Sequence, residues 1–161
     1  MSGAKNLSQQ IDRTVTGPMW HGPALLEALE GVTAEQAAAR PVAAAHSIWE
    51  LVLHMASWNG EVTRRLQGNA PGMPEEGDFP EVGEVSESAW QQARERLDST
   101  VSTLRETLAA LSDQDLDRTG GSISDRALGT GVTLRAMVVG VLQHAAYHSG
   151  QIVMLRKALG G

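Results

Sequence analysis

The chain contains no cysteine. Disulfides, thiolate metal ligands and a cysteine nucleophile are therefore excluded, any metal must be held by His, Asp or Glu, and thiol chemistry needs a thiol brought in by a second substrate. Aromatic residues are scarce, with four Trp, one Tyr and one Phe among 161 residues. Lys and Arg are nowhere dense enough to track a phosphate backbone, and the net charge is −6, so nucleic acid is not an expected partner. No run approaches ~18 apolar residues, so no membrane span is expected. The start, M-S-G-A-K-N-L-S-Q-Q, lacks the apolar centre of a signal peptide, which makes the cytoplasm the expected location. Alternation with period two is also missing over any useful length. The remaining periodicity is helical, and the fold class read from it is all-α, in a single domain over 1–161 large enough to bury a core.

The last helix is the clearest. Thr133 suits an N-cap, and Leu134, Val138, Val141, Ala145, His148, Ile152, Leu155 and Leu159 follow at alternating steps of four and three. Such a seam packs against neighbouring helices in a bundle. Arg156 and Lys157 sit near the end, where cations suit the helix dipole, and Gly160-Gly161 stops it. A second long helix opens with Ser47-Ile48-Trp49-Glu50, a capping box, carries Leu51, Val52, Met55, Val62 and Leu66 on its apolar side, and stops at Gly68. A third runs from about Ser86 to Ala110, with Trp90, Leu97, Val101, Leu104 and Leu108 inward. The first is marked by Leu7 and Ile11 and must break within T-G-P-M-W-H-G-P at 16–23, after which Pro23 can start a further turn. Short helical turns are expected after Thr33 and Ser112, each with a capping-box pattern.

Residues 68–85 form a long connection rich in Gly, Pro and acid. The second helix is ~30 Å long, and eighteen extended residues can reach back along it. The second and third helices can therefore run parallel, joined by a crossover, rather than as a hairpin.

His144 and His148 stand four residues apart on the last helix. That offset leaves their side chains ~40° apart and ~6 Å up the axis, so both project from one face. Two imidazoles so placed can bind one ion, as in the zinc helix of metalloproteases, although Ala145 stands where that motif has its glutamate. The plainer reading is a solvated pair, but His148 lies on the apolar seam, and a buried imidazole needs partners for both ring nitrogens. His54 lies beside the apolar row of the second helix and can face the same interior; the alternative is a core histidine bonded to a carbonyl. Three histidines from two facing helices leave open positions on a metal, the composition of a catalytic rather than a closed structural site. Imidazole suits zinc, nickel, copper or iron alike.

The remaining candidates each carry a plainer reading. His46, before the Ser47 cap, and His21, in the break, read as exposed loop residues, although His21 and Trp20 could line a pocket mouth. Glu61, seven residues after His54, is a weak candidate for a proton acceptor, and a solvated glutamate is the plainer reading. Gln151, seven after His144, could hydrogen-bond a ligand or serve as a structural amide. Trp58 could wall the pocket or pack in the core, and Tyr147 could donate a proton or face solvent.

The stretches H-S-I-W-E-L-V-L-H-M-A-S-W and H-A-A-Y-H-S-G-Q-I, together with W-H-G-P-A-L-L-E-A-L and the intervening crossover, resemble the DinB-like family. The resemblance covers most of the chain. It implies a four-helix bundle with an up-down-down-up arrangement and its long crossover between the second and third helices. It implies metal ligands at His54, His144 and His148, with zinc or nickel as typical occupant and water completing the shell, and it implies homodimers. Relatives include S-transferases using bacillithiol and mycothiol-dependent isomerases, so a thiol cosubstrate and a small-molecule substrate are the implied partners. The expected function is a metal-dependent enzyme, a thiol-dependent S-transferase or hydrolase; the alternative is a non-catalytic metal- or small-molecule-binding protein of stress response.

Overall fold

The computed structural model describes residues 2–20, 22–120, 125 and 128–160. Among the described residues, seven helices account for the regular structure: α1 (Gly3–Thr16), α2 (Leu25–Leu29), α3 (Ala34–Ala38), α4 (Ile48–Leu66), α5 (Glu87–Ala109), α6 (Asp113–Leu116) and α7 (Leu134–Ala158). Among the described residues there is no strand, only an isolated bridge between Thr119 and Thr133. The first, second, third and last long helices read from the sequence are α1, α4, α5 and α7.

Helix starts follow local chemistry. Ser47 accepts from the Glu50 amide while Glu50 returns to the Ser47 amide at 2.7 Å, so two otherwise orphaned N–H groups are satisfied. The same reciprocal box opens α3 at Thr33/Gln36 and α6 at Ser112/Asp115. Ser86 caps α5 and Thr133 caps α7 through single side-chain bonds to the third residue on. α1 ends at Gly17, whose φ of 85° is a conformation a side chain would disfavour, and Pro18 bars continuation.

α4 lies at the centre of the packing. It contacts α5, α7 and α3, while α1 packs on α5, α7 and α2. Fifteen of its nineteen residues are buried. Trp49 of α4 meets Trp90 of α5 at 5.2 Å between ring centroids, and Trp90 donates its indole N–H to the Val32 carbonyl at 2.8 Å. A fully buried tryptophan thus keeps its one polar atom paired while its ring fills the core. Asp12 of α1 pairs with Arg105 of α5, and Arg105 also receives Ser8 Oγ on its carbonyl.

The 67–86 connection retraces α4 rather than crossing open solvent. The Gly72 amide donates to Glu61, Gly77 accepts from Ser57 Oγ at 2.7 Å, and Asp78 reaches His54 and Trp58. Phe79 then stacks beside His46, ahead of the start of α4. Gly77, at φ 88°, makes the turn that presents the Asp78 carbonyl to the helix. Among the described residues no helix is long and apolar enough to cross a membrane.

Candidate metal centre

Three histidines converge between α4 and α7. His54 and His148 are buried, 7 % and 6 % exposed, and His144 is partly buried. His54 Nε2 and His148 Nε2 each lie 2.8 Å from His144 Nε2. The helical offset of four puts His144 and His148 on one face, and the facing turn of α4 supplies His54. Together they form a group whose donor atoms could hold one ion.

The far side of two of these rings is fixed. His54 Nδ1 lies 2.7 Å from the Asp78 carbonyl oxygen and 3.1 Å from its carboxylate. A carbonyl only accepts, so Nδ1 carries the proton and Nε2 presents a lone pair. His148 Nδ1 donates likewise to Gln151 Oε1 at 2.5 Å, so its Nε2 also presents a lone pair. His144 Nε2 therefore faces two acceptors and can donate to one at most. Burial, and then the neighbouring His148 and His54, push His144 down to about 3, so an imidazolium does not resolve the conflict at neutral pH. His148 is lowered as well, chiefly by burial, against an upward pull from Gln151. A cation at the centre satisfies all three lone pairs at once. Imidazole nitrogens ~2.0–2.1 Å from a common ion lie roughly 3–3.5 Å apart, so a small outward shift of the rings admits one. The donor set therefore fits a divalent transition ion.

Phe79 forms a three-ring stack with two histidines: His46 on one side at 3.7 Å and His54 on the other at 4.1 Å, both nearly parallel. The Trp58 indole donates to Asp78 Oδ1 at 2.7 Å, which steadies the residue that orients His54. Two open clefts flank the triad. The larger, about 620 Å³, is bordered by His54, His144, Trp58, Asn59, Arg65 and Met137. The smaller, about 460 Å³, is bordered by His148, Gln151, Phe79, His46 and Tyr147.

The other candidates are sorted by this geometry. Trp58 walls the larger cleft and Tyr147, 64 % exposed, stands at the rim of the smaller, edge-on to His148 at 5.1 Å. Gln151 is within hydrogen-bond reach of a triad histidine, though of His148 rather than His144. His46 is exposed, yet its ring is committed to the Phe79 stack. Trp20 does not line either cleft: it is 96 % exposed, because the loop after α1 packs Met19 and Pro23 on the Ser149–Val153 side of α7, away from the histidines. His21 lies outside the described residues. Glu61 is not solvated. It is 4 % exposed, and it accepts from Arg65 Nε at 2.7 Å, Arg64 Nε at 2.9 Å and the Gly72 amide at 2.8 Å. Burial pushes its carboxyl up, but the Arg64, Arg65 and Gly72 donors prevail and hold it below its usual value. A carboxylate so occupied is a poor proton acceptor for a substrate and a good anchor for the connection.

Sequence reasoning missed Asp78 and Phe79. Their signal is faint, an aromatic beside an acid in the D-F-P of a loop otherwise without pattern. It missed Arg65 too, although the E-V-T-R-R spacing sets two arginines three and four residues after Glu61. No curated protein and no solved structure matches the chain. The family model of the DinB superfamily matches residues 20–152, which include all three histidines, and the chain belongs to that superfamily.

Proposed function

We propose that His54, His144 and His148 hold one divalent transition ion, zinc or nickel, and that the chain is a metal-dependent enzyme acting on a small molecule, a thiol-dependent S-transferase or hydrolase. The observation that carries this reading is the convergence of three Nε2 atoms, two of them locked as lone-pair donors by Asp78 and Gln151. A bound ion would supply Lewis acidity toward a polar substrate group or an incoming thiol. The donor group comprises three side chains, with no fourth among the described residues, and two clefts reach it. That favours an open site over a closed structural one. The chain's own residues orient the ligands and shape the clefts. The absence of cysteine is compatible with a thiol supplied as cosubstrate. An up-down-down-up bundle of α1, α4, α5 and α7 is the arrangement we propose, supported by the Trp49–Trp90 pairing near the starts of α4 and α5 and by the retracing connection.

The test is metal content by plasma mass spectrometry on tag-free protein, wild type beside His148→Ala. About one equivalent of zinc or nickel, lost in the variant, is the expected result. Wild-type protein that takes up neither ion on incubation would sink the reading.

A further inference from the structure

Asn59 follows Trp58 on α4 and borders the larger cleft together with His144. It is 7 % exposed, and its side-chain amide makes no hydrogen bond among the described residues. The other residues of α4 that are both polar and buried, His54, Ser57, Glu61, Thr63 and Arg65, are engaged. His54 and Ser57 bond the connection, Thr63 bonds the Asn59 carbonyl, and Glu61 and Arg65 bond each other. Asn59's amide atoms are not among those sealed off without a partner, so they keep accessible surface. An amide this buried, with no partner among the described residues, has its hydrogen bonds left for whatever enters the cleft. The walls around it are mostly apolar, with Val62, Met73, Val132 and Met137. The nearest charges are already committed: Arg65 to Glu61 and the Leu128 and Gly72 carbonyls, Asp78 to His54 and Trp58.

We infer that the larger cleft takes the organic substrate as a small, mostly apolar molecule bearing a carbonyl or carboxamide group, and that Asn59 is the hydrogen-bonding partner that positions this group beside the triad. An amide offers both N–H donors and a carbonyl acceptor, which matches a carboxamide on two sides and a carbonyl on one. Apolar walls with one placed polar group fix orientation as in other small-molecule sites. The inference rests on the metal-enzyme reading for what happens to the group once it is positioned, but not for the binding itself.

The experiment titrates benzamide and, as a matched hydrocarbon, ethylbenzene into wild type, Asn59→Leu and Asn59→Ser, following ¹H–¹⁵N spectra, with metal content and Tm recorded for each protein. In wild type the Asn59 side-chain NH₂ pair is expected to shift saturably with benzamide and not with ethylbenzene. Both variants should bind benzamide about ten-fold more weakly, with the affinity of Asn59→Leu for ethylbenzene kept and its Tm equal to or above wild type. Equal benzamide affinity in all three proteins would overturn the inference. So would an unmoved Asn59 resonance together with a lowered Tm in Asn59→Leu, because the amide would then be holding a structural water in the small core gap it also borders, about 10 Å³ in volume. Loss of metal in wild type with benzamide binding intact would refute the metal reading and leave the cleft assignment standing.

Discussion

Replacing Glu61 by alanine should destabilise the protein far more than loss of an ordinary surface glutamate. The Glu61 side chain is 3 % exposed and that of its partner Arg65 is 2 % exposed, so the variant strands a guanidinium in the interior. Arg64, with a side chain 43 % exposed, can turn to solvent and contributes little. Breaking a buried pair by removing one member costs ~3–5 kcal/mol, because the survivor's charge is left uncompensated. At ~2–4 °C per kcal/mol for a domain of this size, the melting temperature should fall by roughly 10 °C. Calorimetry or circular dichroism on Glu61→Ala measures it. Glu61→Leu with Arg65→Met separates the two contributions. If stranded charge dominates, the double variant should recover most of the loss, since apolar replacement of a buried pair is often neutral or better. A single variant melting within ~2 °C of wild type would refute the argument, and an equal loss in the double variant would assign the cost to the severed Gly72 and Leu128 tethers instead.

Two further predictions follow from the same contacts. The Glu61 carboxyl is held below its ordinary value by the Arg64, Arg65 and Gly72 donors, against the upward push of burial, so the ionised form is favoured in the folded state. Its contribution is fully present above the unfolded value and is lost as pH falls through the lower folded value. Denaturant titrations should show wild-type stability falling below about pH 4.5 more steeply than that of the Glu61→Leu, Arg65→Met variant, and parallel curves would refute the assignment. Gln151→Leu removes the acceptor on His148 Nδ1 and frees that ring to rotate or change tautomer. Metal affinity by chelator competition should drop ~10–100-fold with Tm nearly unchanged, and unchanged affinity would mean Gln151 does not orient the ligand.

The capping boxes at Ser47/Glu50, Thr33/Gln36 and Ser112/Asp115 were legible because each depends on residues three apart, and the helix begins where the sequence puts the cap. The seam on α7 was legible for the same reason, with Leu134, Val138, His148, Ile152 and Leu155 all buried. His144 and His148 could be paired from spacing; His54 could be added to them from its place beside the apolar row of its own helix, and the family resemblance pointed to the same three. Glu61 was misread as solvated because seven residues after His54 says nothing of what lies outside that face of α4. The covering segment is Gly72 and its neighbours, and an irregular loop carries no period by which to dock it. Asp78 and Phe79 were lost on the same ground, 24 and 25 residues from the histidine they orient. Asn59 was unreadable in a different sense, since a mid-helix asparagine usually points to solvent or bonds locally, and its isolation is visible only once its neighbours are in place.

The two triad histidines with fixed tautomers are held by different means, and the difference has a consequence. His148 takes its acceptor from its own helix, three residues on, so its orientation survives whatever the connection does. His54 has no such option: the residues three and four beyond it, Ser57 and Trp58, use their polar atoms on Gly77 and Asp78 rather than on the imidazole. α4 therefore orients His54 indirectly, by docking a loop whose carbonyl then takes the Nδ1 proton. The buried Glu61–Arg65 pair clamps the same loop two turns further along the helix. Ordering a loop costs conformational entropy, and the contacts that offset it here are the ones that aim His54. Docking of the connection thus sets the His54 nitrogen's part in the convergence. A ligand that prefers the converged histidines therefore also favours the docked connection, by an amount set by its differential affinity for the docked and undocked arrangements.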